Sequence, residues 1–325
     1  MSTGTRAVGR IQRISAGIPL RTLGWMALVL AAVTAGLITY GSWVRVSGSG
    51  LGCPDWPLCN GGVLPKQSVA QVIEYGHRLF AGITMLATWA LAFVLYKRRV
   101  ESPRASFFLI AASVLILAQA LLGGATVLTD LSGWVRLAHL GFSMSALGAT
   151  TAGALTILAK DWEEPKARLP VLPLILIAIS IIMVGGSIVA TKSSFGCTTL
   201  PLCDHPATDT AKWLHTFHRT LGLVLGAGIA LAWLHVLIRG SNTPIRIALL
   251  GATVALAAQM SVGAFAITQH LPNGLRIAHL GLAASVWWAL VGLWVLATAR
   301  YGKEVSVATS TQESAAVLAQ GSGRV

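Results

Sequence analysis

The chain alternates long apolar stretches with short polar ones. Eight apolar blocks stand out, at about 23–44, 72–96, 106–128, 135–159, 170–191, 213–238, 246–268 and 275–299. About 20 helical residues, rising 1.5 Å each, cross the hydrocarbon core of a bilayer. The pattern therefore predicts an all-α polytopic membrane protein with eight spans. A transmembrane β-barrel would show short alternating segments instead. The first block has no small-residue cleavage site and reads as a retained span, not a signal peptide. Composition agrees: 54% of the residues are hydrophobic and 11% charged, where a soluble domain carries about a quarter charged residues.

The formal net charge is +13, which raises the question of nucleic acid. Its distribution argues against that. Sixteen of the 24 basic residues fall on one side of the spans, among them Arg6, Arg10, Arg13, Lys97, Arg98, Arg99 and Lys160. A positive-inside bias places both termini in the cytoplasm and the chain in the cell membrane. The partner implied by the basicity is the lipid bilayer, not nucleic acid.

The polar interruptions repeat. "GCPDWPLC" at 52–59 returns as "GCTTLPLC" at 196–203, "HR" at 77–78 as "HR" at 218–219, and "RLAHLG" at 136–141 as "RIAHLG" at 276–281. The offsets are 144, 141 and 140, and Gln119 aligns with Gln259 at the last of them. Each half holds four spans, an even number, so both halves enter the membrane from the same side. The predicted architecture is two tandem four-helix bundles related by a pseudo-twofold axis along the membrane normal. The expected organisation is a cytoplasmic segment over 1–22, a first half over 23–160, a cytoplasmic linker over 161–169, a second half over 170–300 and a disordered tail over 301–325. The long loops of both halves face outward, and so should the chemistry.

His77 and His139 each lie about five residues into an apolar block, roughly 8 Å below the outer end of a helix. His218 and His279 repeat the arrangement. Histidine inside a span is uncommon and usually functional. Two imidazoles at one depth on parallel helices suit the axial ligands of a haem iron. Zinc is the weaker reading, because it wants four closely spaced ligands. Arg78 and Arg219 follow a histidine directly, and Arg136 and Arg276 precede one by three residues. All four sit at the outer water boundary, where haem propionates could accept their hydrogen bonds. The pattern predicts one haem site per half.

The repeat breaks at Glu74, whose counterpart is His215. Residues three apart share a helix face, which puts Glu74 beside the iron of His77. A carboxylate there is costly unless it is paired or does work. The asymmetry suggests chemistry at the first site and a permanent haem at the second. All four cysteines lie in the long outer loops, on the oxidising side, which predicts disulfides Cys53–Cys59 and Cys197–Cys203. Loop bracing and a redox role are both open for them.

The "EYGHR" segment, the two R-[LI]-A-H-L-G segments, the eight spans in two halves and the outer-loop cysteine pairs resemble the haem A synthase family, over about residues 22 to 300. The resemblance implies oxidation of a ring methyl of haem O to a formyl group by successive hydroxylations, giving haem A for cytochrome oxidase. It implies catalysis in the first half and haem b in the second. His77 and His139 would ligate or flank the substrate haem, Glu74 would be the essential carboxylate, and His218 and His279 would ligate haem b. The partners it implies are haem O, an electron partner, haem O synthase and assembly factors of cytochrome oxidase. A di-haem cytochrome b exchanging electrons with quinone is the alternative; it accounts for four histidines but not for a single Glu74. A transporter would carry ionisable groups at mid-membrane and broken helices, which this pattern lacks.

Overall fold

The computed structural model describes residues 17–62, 68–160 and 169–298. Eight helices in it are long and apolar enough to cross a membrane. They are α1 (Leu20–Val46), α2 (Val69–Lys97), α3 (Pro103–Leu128), α4 (Gly133–Leu158), α5 (Leu172–Ala190), α6 (Asp209–Arg239), α7 (Thr243–Thr268) and α8 (Asn273–Thr298). Each matches a predicted apolar block, with α2 and α6 extending several residues further outward. No strand occurs among the described residues. The expectations for the tail, for most of the linker and for the first sixteen residues lie outside the described residues.

Local signals explain where these helices begin. The hydroxyls of Ser68 and Thr208 accept hydrogen bonds from the N–H groups of Gln71 and Ala211, and the side chain of Asn242 accepts one from Ile245. Such caps satisfy donors that a helix start leaves free. Pro103 sits where its missing N–H costs nothing. The two short outer hairpins are built alike. Asp130 and Leu131 in one, His270 and Leu271 in the other, take positive φ values of 49°, 62°, 57° and 59°. In each, the leucine N–H bonds back across the helix end, to Thr126 or to Ala266, which closes off the last turn.

Packing follows the repeat. Each of α1 to α4 touches its chain neighbour, and α1 closes against α4; α5 to α8 do the same. Between the halves, α4 packs on α8, α1 on α8 and α4 on α5, a set that maps onto itself when the halves are exchanged. Glycines allow the approach. A Cβ on Gly281 of α8 would lie 3.0 Å from Oγ1 of Thr39 on α1, and one on Gly141 of α4 would lie 3.4 Å from Sδ of Met183 on α5. These two contacts occupy equivalent repeat positions. At the centre, the indole N–H of Trp287 donates to the carbonyl of Met144 at 2.7 Å, and its ring lies against Gly148. The larger core cluster crosses this seam, joining Met144 and Leu147 to Leu290 and Leu293. A smaller one fills the inner end of the first half around Leu95 and Leu109. Large apolar side chains such as Leu86, Phe107 and Leu231 point outward, as expected where the surrounding solvent is lipid.

Candidate functional site

The structure brings His218 and His279 together as expected. His77 on α2 and His139 on α4 hold the corresponding positions of the first half. His218 on α6 faces His279 on α8, with 6.2 Å between ring centroids and 60° between ring planes. His77 and His139 lie eight and six residues inside their helices, about 12 and 9 Å from the outer ends.

Each imidazole is seated against a glycine of the preceding helix. A Cβ on Gly41 would come within 3.3 Å of Cε1 of His77, and one on Gly123 within 3.5 Å of Cε1 of His139. In the second half, Gly185 would meet His218 at 3.0 Å and Gly263 would meet His279 at 2.8 Å. Reasoning from the sequence missed these four glycines. The signal was available: Gly41 and Gly185 are 144 apart, Gly123 and Gly263 are 140 apart, the offsets of the flanking motifs.

His218 is the best anchored of the four rings. Nδ1 of His218 donates to the carbonyl of Ile181 at 3.2 Å. That bond fixes the tautomer and leaves Nε2 free to bind a metal. The amide of Gln259 donates to Nε2 of His279 at 3.2 Å. Nδ1 of His77, His139 and His279 is buried without a hydrogen-bond partner among the described residues. Tyr40 stands edge-on to His77 at 5.4 Å, with its hydroxyl against Gly76. Its repeat counterpart is Val184.

Glu74 is 4% exposed and fully engaged. One oxygen accepts from the N–H of Cys53 at 2.9 Å. The other accepts from Arg78 at 2.6 Å. Both bonds satisfy a carboxylate that burial would otherwise leave without partners. Arg78 also donates to the carbonyls of Asp55, Leu58 and Cys53, at 2.7, 2.7 and 3.0 Å. Glu74 and Arg78 therefore tie the disulfide loop Cys53–Cys59 to the outer end of α2. Gly52 allows this, because a Cβ there would lie 2.6 Å from the backbone of Ala70. Asp55 braces the far side of the loop by accepting from the N–H groups of Asn60 and Gly61. Those bonds, Gly61 foremost, hold its carboxyl below the usual range. Trp56 lies over Gly124, beside the seat of His139, so that a Cβ on that glycine would meet the indole at 2.7 Å.

The second loop is held in a related way. Cys197 and Cys203 are bonded, and Arg219 donates to the carbonyls of Thr199 and Pro201. His215 is buried, and its Nε2 donates to the carbonyl of Ser193 at 2.9 Å. The arginines thus divide by position. The terminal N–H groups of Arg78 are all taken by its own loop and Glu74, and Arg219 is engaged in the same manner. Arg136 and Arg276, at the outer starts of α4 and α8, reach no loop carbonyl in any contact the structure records. Nε of Arg136 is buried without a partner among the described residues, and Arg276 bonds Asn273 and lies over the ring of Phe195.

The residues present fit a haem. Each half offers two facing imidazoles, and no group of three or more His, Cys, Asp or Glu converges on a metal position among the described residues. The 6.2 Å between the rings of His218 and His279 is about what two nitrogen–metal bonds of roughly 2 Å and two ring radii span. Unpartnered Nδ1 atoms and Cβ-free seats leave the rings room to turn toward such a ligand.

Comparison with known proteins bears on this arrangement. The COX15-CtaA family, described as cytochrome oxidase assembly protein, matches residues 24–291. A protein named heme A synthase from Bacillus pumilus is 27% identical over 255 residues, covering 74% of this chain and 83% of its own length. Another of that name, from Alkalihalophilus pseudofirmus, is 33% identical over 208 residues, covering 58% and 68%. A third, from Shewanella oneidensis, is 27% identical over 318 residues, covering 83% and 94%.

Proposed function

The chain belongs to the COX15-CtaA family of cytochrome oxidase assembly proteins, and on that premise we propose that it is a haem A synthase that oxidises a ring methyl of haem O to a formyl group at its first-half site. The relatives are named for this activity. The observation that carries the finer reading is Glu74. It is a buried carboxylate one turn from His77, and the otherwise equivalent second site has His215 in its place.

In this reading, His77 and His139 hold the iron of the substrate haem between α2 and α4. Their seats against Gly41 and Gly123 are the slacker pair, which suits a site that must admit one haem and release another. Glu74, bonded by Arg78 and the Cys53 N–H, presents its carboxylate beside the reacting edge. It stabilises positive charge developing at the oxidised carbon, or takes the proton released there. Trp56 and the disulfide loop close the outer end against water. In the second half, His218 and His279 hold a resident haem b. Haem b supplies one-electron redox chemistry when bound. Arg136 and Arg276 receive propionates, while Arg78 and Arg219 shape the loops above them. The pseudo-twofold relation of the halves, the cell-membrane location and the cytoplasmic termini belong to the same reading. The first is supported by the helix pairing across the seam, the others by the bias of basic residues to one side.

The test is extraction and chromatography of the haems from purified protein, wild type beside Glu74→Gln and Glu74→Ala. Haem b with haem A or a hydroxylated intermediate in the wild type, and haem b with unchanged haem O in both variants, is the expected result. Two haem b per chain in all three proteins would instead identify a di-haem electron carrier. Glu74→Gln keeps an acceptor for the Cys53 N–H, so it separates the loss of charge from the loss of the loop.

A further inference from the structure

A third arginine stands at the seam between the halves. Thr39 of α1 touches Gly281 of α8. Six residues outward from Thr39 is Arg45, and five residues outward from Gly281 is Arg276. At 1.5 Å per residue the two arginines sit about 9 and 8 Å above the same contact, hence at one depth on abutting helices. Arg136 lies five residues outward from Gly141 on α4, which packs on both α1 and α8. Arg45 feels the charges of Arg276 and Arg136. Among the described residues no carboxylate pairs with any of the three; the two ion pairs found are Glu74 with Arg78 and Glu101 with Arg98.

Three partly buried cations with no counter-charge repel one another, and low surrounding dielectric sharpens the cost. An anion among them relieves it. The repeat adds a second observation. At the equivalent contact of α5 with α4, the position of Arg45 is Val189. The extra charge is therefore a departure from the duplicated plan, placed by the first half above the end of α8 that carries His279.

We propose that Arg45, Arg136 and Arg276 form one oxyanion site at the outer end of the seam. It takes a paired-oxygen ligand, either a propionate carboxylate of the second-half haem or the phosphate of an outer-leaflet lipid. The guanidinium fork suits both. In the first case, Arg45 is a positioning residue through which the catalytic half sets the potential of the resident haem. That arm rests on the haem b reading above; the lipid arm does not.

The experiment uses the full chain in nanodiscs of phosphatidylcholine or of phosphatidylglycerol. Wild type is compared with Arg45→Gln and with Arg45→Met, which suits the apolar seam and serves if the glutamine variant fails to assemble. If the ligand is a propionate, the substitution lowers the midpoint potential of the second-half haem in both lipids, since a lost positive charge favours the oxidised iron, and Arg45→Lys recovers most of the shift. If the ligand is a lipid phosphate, the potential stays put. The wild type then melts higher in phosphatidylglycerol than in phosphatidylcholine, and the Arg45 variants lose that difference. Variants that match wild type in both potential and lipid dependence overturn the proposal. A haem content unchanged by His279→Ala sinks the haem b reading instead, and the melting comparison then decides the site alone.

Discussion

The two halves share a plan: an imidazole from the second helix, another from the fourth, a glycine behind each and a disulfide loop above. Their differences gather around one site. The first half has Glu74, Tyr40 and Trp56 where the second has His215, Val184 and Leu200. Glu74 and His215 both tie a loop to the helix, but with opposite polarity. The carboxylate accepts from the Cys53 N–H, while the imidazole donates to the Ser193 carbonyl. The first arrangement places a carboxylate one turn from His77; the second places none beside His218. The seats differ in degree as well, tightest behind His279 at 2.8 Å and loosest behind His139 at 3.5 Å. In the proposed reading, duplication supplies a scaffold that holds haem twice, and a few substitutions around one copy turn holding into reacting.

The comparison can be broken most strongly at the ligands. His279→Ala is expected to remove the resident haem and leave the first site loaded, while His139→Ala does the reverse. Haem stoichiometry with low-temperature spectra of each variant reads this directly, and loss of both haems in either variant would mean that the sites are not independent.

The glycine seats give the next effect. Gly263→Ala puts a Cβ 2.8 Å from the ring of His279, whereas Gly123→Ala puts one 3.5 Å from His139, an ordinary contact. Forcing a packed ring aside costs about 1–3 kcal/mol. Gly263→Ala and Gly185→Ala should shift the low-spin spectrum of the second-half haem and lower its retention by roughly tenfold or more. Gly123→Ala should leave the first site near wild type. Equal effects in the two halves would remove the distinction between a fixed and an exchanging site.

A third expectation concerns the loops. Arg78→Gln removes the charge-assisted bond to Glu74 and weakens those to three loop carbonyls, a loss of about 2–4 kcal/mol of local stability. Amide hydrogen exchange over residues 53–59 should quicken sharply, with 197–203 unaffected. Arg219→Gln should do the opposite, and more weakly, since Arg219 holds no carboxylate.

The smallest effect lies at the inner end of the first half. Glu101 is paired with Arg98, which holds its carboxyl below the usual range. The backbone carbonyl of Glu101 also accepts from Lys160. A carboxyl with a lowered folded pKa adds stability above its unfolded value, 4.5. That contribution is lost as pH falls through the lower folded value. Glu101 is exposed, so the pair contributes about 0.2–1 kcal/mol. Exchange at residues 98–102 should rise modestly on acidification. The equivalent position of the second half is Ser241, which has no such charge to lose.

Much of this was legible from the chain. Block length and hydropathy determined eight spans, because a helix must satisfy its backbone internally wherever lipid surrounds it. The constant offsets determined the duplication and the isolation of Glu74, and equal depth on parallel helices pointed to the pairing of His218 with His279. The four glycines were visible at the same offsets but carry no chemistry of their own, so nothing marked them until a ring was seen to occupy the space. Only the tertiary structure decided what each charged side chain meets. Arg78 and Arg219 stand beside histidines in sequence, yet their donors turn to the loops. Arg45, in no motif, stands at the depth of Arg276 on the abutting helix. Spacing along a helix fixes depth and face, which are local. The partner of a guanidinium depends on where a loop returns and which helices abut, and those are settled by packing between segments far apart in the chain.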